Sequence, residues 1–132
     1  MGSLGGVLGW GELVVLFDTS VVVDMIRSGE YRFGRISIIS LIEILRGVDE
    51  DKRSSVKGLL EEVFDVVGVD NSVIDVYCRL YDELRRAGRL IPDADLIIAA
   101  TAIACDEELE SFDEHFTWLR DLGLKLRFGR RR

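Results

Sequence analysis

One histidine, one proline and two cysteines are all that 132 residues contain of these types, and glutamine is absent. The separation of Cys78 and Cys105 matches no zinc-ligand pattern, and both fall on apolar helical positions. A zinc knuckle or a disulfide framework is therefore excluded, and two reduced, buried thiols are expected. No apolar run is long enough to cross a bilayer. No basic region precedes the first apolar residues, so a signal peptide is not expected and the protein reads as cytoplasmic. Asn71 is the sole asparagine. That scarcity of amides fits a thermophilic source, and equally a GC-rich genome. Positive charge is also short: 17 basic residues face 24 acidic ones, for a net charge of −7. Such a chain repels nucleic acid as a whole. A nucleic-acid partner would need a local basic patch or a bridging metal.

What is present is one domain's worth of hydrophobic residues, 48% of the chain. They concentrate in Ile91 to Cys105, where Leu96, Ile97, Ile98, Ala99, Ala100, Ala102, Ile103 and Ala104 leave no polar face. A helix apolar all round belongs in a core. Pro92 marks its start and Asp93 is the expected cap. Asp95 then sits at the helix mouth, where unpaired backbone N–H groups gather.

Short apolar runs predict strands over 13–17, 36–39, 66–69, 107–111 and 124–128. Between them helices are expected over 21–26, from Ser40 to about Gly47, over 51–64, from Asp70 or Asn71 to Gly88, and over 113–119. Ser40 and Glu43 read as a capping box. Val73, Val76, Tyr77, Leu80 and Leu84 form a clear helical stripe. The alternation predicts an α/β domain over 12–128 with a mainly parallel sheet. Residues 1–11 read as a glycine-rich leader and 129–132 as a basic tail.

Four carboxylates then share an address. Asp18 follows the first strand. Glu43 lies in the first turn of the helix after the second. Asp95 opens the buried helix, and Asp113 opens the last one. In a parallel sheet these positions fall along one edge, where ligands bind in open α/β folds. Each acid alone could serve as a helix cap, worth about 1 kcal/mol. Together they repel one another unless a cation or proton sits among them. Oxygen-only ligands, with no histidine or cysteine nearby, point to Mg²⁺ or Mn²⁺ rather than Zn²⁺. Such an ion suits phosphodiester hydrolysis and bridges an acidic pocket to an anionic backbone.

The strings FDTSVVV, SIISLIEILRG, YDELRRAGRLIPDADLIIAATAIA and SFDEHF, in this order, resemble the PIN domain family, and within it the VapC-type toxin ribonucleases. The resemblance runs from about Leu13 to Phe128, and the third string is its most specific part. It implies a three-layer α/β/α fold with a central parallel sheet. It implies Mg²⁺-dependent cleavage of single-stranded RNA leaving a 5′-phosphate, a homodimer, and neutralisation by a small antitoxin. By position, the ligands it implies are Asp18, Glu43, Asp95 and Asp113. Asp93, Thr19 and Ser111 are expected behind them, orienting water or ligand. Two positions depart from the family: Ser20 stands where Asn is usual, and Phe112 where a polar or basic residue is common. Glu110 also interrupts a strand that is usually apolar.

Arg46, Arg85, Arg86 and Arg89 are candidate RNA contacts. The competing role for Arg85 and Arg86 is to complement the end of their helix. His115 is expected at the surface or behind the ligands. Tyr77, Tyr81, Trp10 and Trp118 are expected in core or dimer contacts, since they do not group as a stacking platform. Two rival functions remain open. A receiver-like signalling module would want paired acids after the first strand and a lysine on the last; Asp18 is followed by Thr19 and Ser20, and Lys125 is loosely placed. A degenerate PIN domain would bind a partner and cut nothing.

Overall fold

In the computed structural model, residues 14–129 are described, and they form one twisted sheet between two helical layers. The expected leader over 1–11 and the arginines of the tail lie outside the described residues. In chain order the elements are β1 Val15–Phe17, α1 Thr19–Ser28, β2 Gly34–Ser37, α2 Ile38–Leu45, α3 Glu50–Val63, β3 Phe64–Val67, α4 Asn71–Arg86, α5 Asp93–Ala104, β4 Glu108–Ser111, a 3₁₀ helix Glu114–Leu122, and β5 Lys125–Phe128. The sheet order is β3-β2-β1-β4-β5, with every pairing parallel. β1 is thus the central strand, and the chain switches direction across the sheet between β3 and β4. In such a fold a crevice opens at the strand C-termini on either side of the switch.

β1 explains the two cores. Successive strand side chains point to opposite faces. Leu16 enters a cluster with Leu80 and Leu84 of α4 and Leu96, Ile98 and Ala99 of α5. Phe17 enters the other, with Val21, Val22 and Met25 of α1, Leu41 of α2 and Leu60 of α3. The Phe17 ring lies so close to Gly34 that a Cβ there would collide with it, which fixes glycine at the start of β2. α5 is buried over most of its surface, as its composition demands: Leu96, Ile98, Ala99, Ala100, Thr101 and Ala102 are all inside, and Ile97 and Ile103 are half-buried. Thr101 satisfies its hydroxyl by donating to Ile97 O at 2.8 Å.

Five local expectations are corrected. β2 runs over Gly34–Ser37 rather than 36–39, since the next helix takes up Ile38 and Ile39. The two thiols are not both buried: Cys78 is exposed and Cys105 half-buried. α2 starts two residues before Ser40. Its cap is Ser37, whose Oγ accepts from Ile39 N at 3.0 Å, so Ser40 and Glu43 are no capping box. Ser40 is instead buried within the helix, and Glu43 lies in its second turn. Asp93 is not the cap of α5. Pro92 holds that position without a side-chain bond, and Asp93 is the first helical residue. β3 lies two residues earlier than expected, because α3 ends at Val63 and hands over directly to Phe64. The β-branched α1 is helical because Asp18 caps it and buried valines anchor one face; Gly29, at φ 73°, ends it.

Candidate metal centre

The four acids named from the sequence come from four different segments. Asp18 ends β1 and caps α1, its Oδ1 accepting from Val21 N at 3.2 Å. It is almost wholly buried, at 3% exposure. Ser20 Oγ donates to Oδ1 at 2.6 Å, and Ser111 Oγ, from the end of β4, donates to Oδ2 at 2.7 Å. Burial pushes the Asp18 carboxyl above its ordinary value, while these two hydroxyls and the Val21 amide pull it down; the nearby charge of Asp113 pushes it up again. The carboxylate is thus fixed in direction but not neutralised.

Asp95 reports the convergence. Its carboxyl is also pushed up, first by burial, then by Asp18, Glu43 and Asp113, with His115 opposing. All four acids therefore share one electrostatic neighbourhood. Glu43 is held there by Thr19, whose Oγ1 donates to Oε1 at 2.7 Å and lies 2.9 Å from Ser40 Oγ. Asp113 caps the 3₁₀ helix. Ser111 supports it as well, its Oγ accepting from Asp113 N at 2.9 Å. Thr19 and Ser111 thus stand directly behind the acids.

His115 is the residue the sequence undervalued. It stands between two of the four acids, so the expectation of a set without nearby histidine is overturned. Nδ1 lies 3.1 Å from Asp113 Oδ1 and Nε2 lies 3.2 Å from Asp95 Oδ2. The Nε2 approach lacks hydrogen-bond alignment, which leaves a buried nitrogen without a hydrogen-bond partner. One ligand atom from each of Asp95, Asp113 and His115 lies within 4.8 Å of the others. A spacing of two residues, Asp113 to His115 across a helix start, was the available signal.

Other candidates lie elsewhere. Asp93 turns to Tyr77, accepting from its hydroxyl at 2.6 Å and pushing that phenol up to about 12. Arg46 reaches the rim of the centre, 3.9 Å from Glu43. Arg86 is held by Glu83 at 2.9 Å, and Arg89 lies over the Trp118 ring at 5.2 Å. Arg85 and Arg89 line a small cleft with Tyr81 and Leu90, on the flank of α4. Glu110, which interrupts its strand, is paired: Arg32 donates to both its oxygens at 2.9 and 2.6 Å.

No family model matches the chain. Ribonuclease VapC1 of Methanocaldococcus jannaschii is 38% identical over 119 residues, spanning 87% of this chain and 88% of that protein. The chain belongs to the VapC ribonuclease family. Solved structures agree on the fold. A chain of VapBC2 from Rickettsia felis, bound to a DNA fragment from its promoter, is 20% identical with a TM-score of 0.76, covering 89% of this chain and 99% of that one. A chain of VapBC-1 from nontypeable Haemophilus influenzae is 18% identical with a TM-score of 0.74, covering 88% and 98%. The all-parallel sheet between helical layers is thus the PIN fold of VapC structures. Among the described residues, no helix is long and apolar enough to cross a membrane.

Proposed function

We propose that this VapC-family ribonuclease cleaves single-stranded RNA internally with Mg²⁺ held by Asp18, Glu43, Asp95 and Asp113. The observation that supports it is the electrostatics of Asp95: burial and three neighbouring carboxylates all press its charged form. The residues fit a hard divalent cation. Their donors are oxygens, their charges repel, and hydroxyls rather than lysines or arginines hold the most buried of them. Bound there, Mg²⁺ would polarise the phosphate, lower the pKa of a water and offset charge on the leaving oxygen.

The chain's own residues do the rest. Ser20 and Ser111 fix both Asp18 oxygens, and Thr19 fixes Glu43. α5 presents Asp95 at its N-terminus, where the helix dipole favours an anion. Arg46, 3.9 Å from Glu43 at the rim, would be the residue to meet a backbone phosphate. His115 packs between two of the four acids, with Nδ1 3.1 Å from Asp113 and Nε2 3.2 Å from Asp95.

By family, the partners proposed are an RNA substrate, a small antitoxin and a second copy of the chain, in the cytoplasm. Receiver-like signalling finds less support. Lys125 is bound to Asp106 at 2.7 Å, at the sheet edge opposite the acids. The test is incubation with a mixed RNA pool, with Mg²⁺ or with EDTA, mapping the ends produced. Cleavage that needs Mg²⁺ and vanishes in a folded Asp95→Asn chain is expected. Near-normal cleavage by Asp95→Asn would refute the ligand assignment.

A further inference from the structure

A cleft of about 270 Å³ opens beside the acids, lined by Ser20, Phe112, Asp113, Glu114 and Phe128. Two of its walls belong to the centre: Ser20 holds Asp18, and Asp113 is one of the four carboxylates. The other walls have no task in holding a metal. Phe128 is 43% exposed at the end of β5, paired in register with Ser111. Phe112 lies against Gly129, where a Cβ would come within 3.1 Å of its ring. Ser20 and Phe112 are also the two sites at which the motifs part from their family. Glu114 is exposed, and its carboxylate takes no hydrogen bond or ion pair among the described residues.

We propose that this cleft binds the nucleobase next to the scissile phosphate and favours guanine. The inference rests on the ribonuclease reading and names a substrate contact for it. The exposed Phe128 ring offers a stacking face to any base. Selectivity comes from the rim. Ionised carboxylates only accept hydrogen bonds. Guanine presents two adjacent donors, N1–H and N2–H, which match one carboxylate in bidentate fashion. Uracil presents a single N–H between two carbonyls, which Glu114 repels. Adenine and cytosine each place an acceptor beside their amino group. A base seated here puts its phosphate toward Asp18 and Asp95, because the cleft shares Ser20 and Asp113 with the centre.

The experiment uses the full chain with Mg²⁺ and oligoribonucleotides that differ only in the base beside a mapped cut. Guanine is expected to give the highest kcat/KM. Glu114→Gln should shrink the guanine-over-uracil ratio by about 10-fold, guanine losing its bidentate acceptor and uracil losing the repulsion. Phe128→Ala should lower kcat/KM about 10-fold, mainly through KM, and Phe128→Tyr should restore it. Fluorescence anisotropy of the same oligonucleotides on Asp95→Asn reads the preference without cleavage, and guanine should bind tightest there too. Equal binding of all four bases by Asp95→Asn, or an unchanged ratio in Glu114→Gln, overturns the proposal. A wild-type chain that cuts no RNA, yet whose Asp95→Asn form keeps the guanine preference, refutes the ribonuclease reading and leaves the base site standing.

Discussion

Two groups of carboxylates meet on β4, and their company differs. Just before the strand, Glu107 is 2.6 Å from Arg35; along it, Glu108 is 2.7 Å from Arg127, and Glu110 is gripped by Arg32. Past the strand's end, Asp113 joins Asp18, Glu43 and Asp95, and the groups aimed at them are mostly hydroxyls, with one histidine. Arginine supplies both direction and charge. A serine supplies direction alone. The first group is therefore charge-paired, although Glu107 keeps one buried oxygen without a hydrogen-bond partner, and the second is a set of positioned negative charges with no arginine or lysine gripping Asp18, Asp95 or Asp113 among the described residues. Counting acids would not separate them; asking what each accepts from does.

The sharpest break of this contrast is one isosteric change in each group. Asp18→Asn should reduce Mg²⁺-dependent cleavage by more than about 100-fold, beyond the loss usual for a residue that merely orients a ligand. Asparagine still caps α1, so the fold should survive, and the metal-free melting temperature at neutral pH should rise because a strained charge is gone. Glu110→Gln should do the opposite. It leaves Arg32 and Arg127 without their shared anion and should cost about 2 kcal/mol, below the full value for a buried pair because Arg32 is half exposed. Denaturant melts and single-turnover cleavage measure both. If Glu110→Gln abolished activity in a fully folded chain, the division between the groups would fail.

Mg²⁺ and pH sharpen the same point. Burial and like charges raise the carboxyls of Asp18 and Asp95 above the ordinary value of 3.8. The native state then holds more protons than the unfolded chain above that value. Metal-free stability should fall as pH rises through the raised values, and the penalty is complete once both groups are ionised. The ion should therefore stabilise more above the raised values, where both carboxylates are ionised, than below them, where a proton already offsets the charge. At ten times its Kd it should add about 1.4 kcal/mol, or roughly 4 °C in Tm. A Tm gain that is independent of pH would place the ion elsewhere.

Much of this could be read before any coordinates. Short apolar runs and the 3.6-residue stripe gave the elements and their order, because burial dictates them, but β2 and β3 each lie two residues earlier than those runs suggested. The four acids were legible because parallel topology sends strand ends to one edge. His115 was not, since its position depends on how tightly the turn after Asp113 closes. Nor were the arginine partners of Glu107 and Glu110: Arg32 lies 78 residues away in sequence from the acid it grips. Phe112 and Phe128 were missed for a similar reason, as only the pairing of β4 with β5 brings them together.

The smallest expected effect concerns a boundary. Ser37 and Ser40 both precede a carboxylate-bearing helix, and sequence alone favours Ser40, with Glu43 three residues on. In the fold Ser37 caps α2, while Ser40 is buried beside Thr19. Ser37→Ala should cost about 1 kcal/mol by freeing a helix N–H, and should leave cleavage unchanged once folded. Ser40→Ala should act through Thr19, loosening its hold on Glu43, so the loss should fall on activity more than on Tm. The pair thus separates a residue that begins a helix from one that aims a ligand. Equal loss of Tm in both variants, with cleavage untouched, would return Ser40 to an ordinary packing role and detach Glu43 from its support.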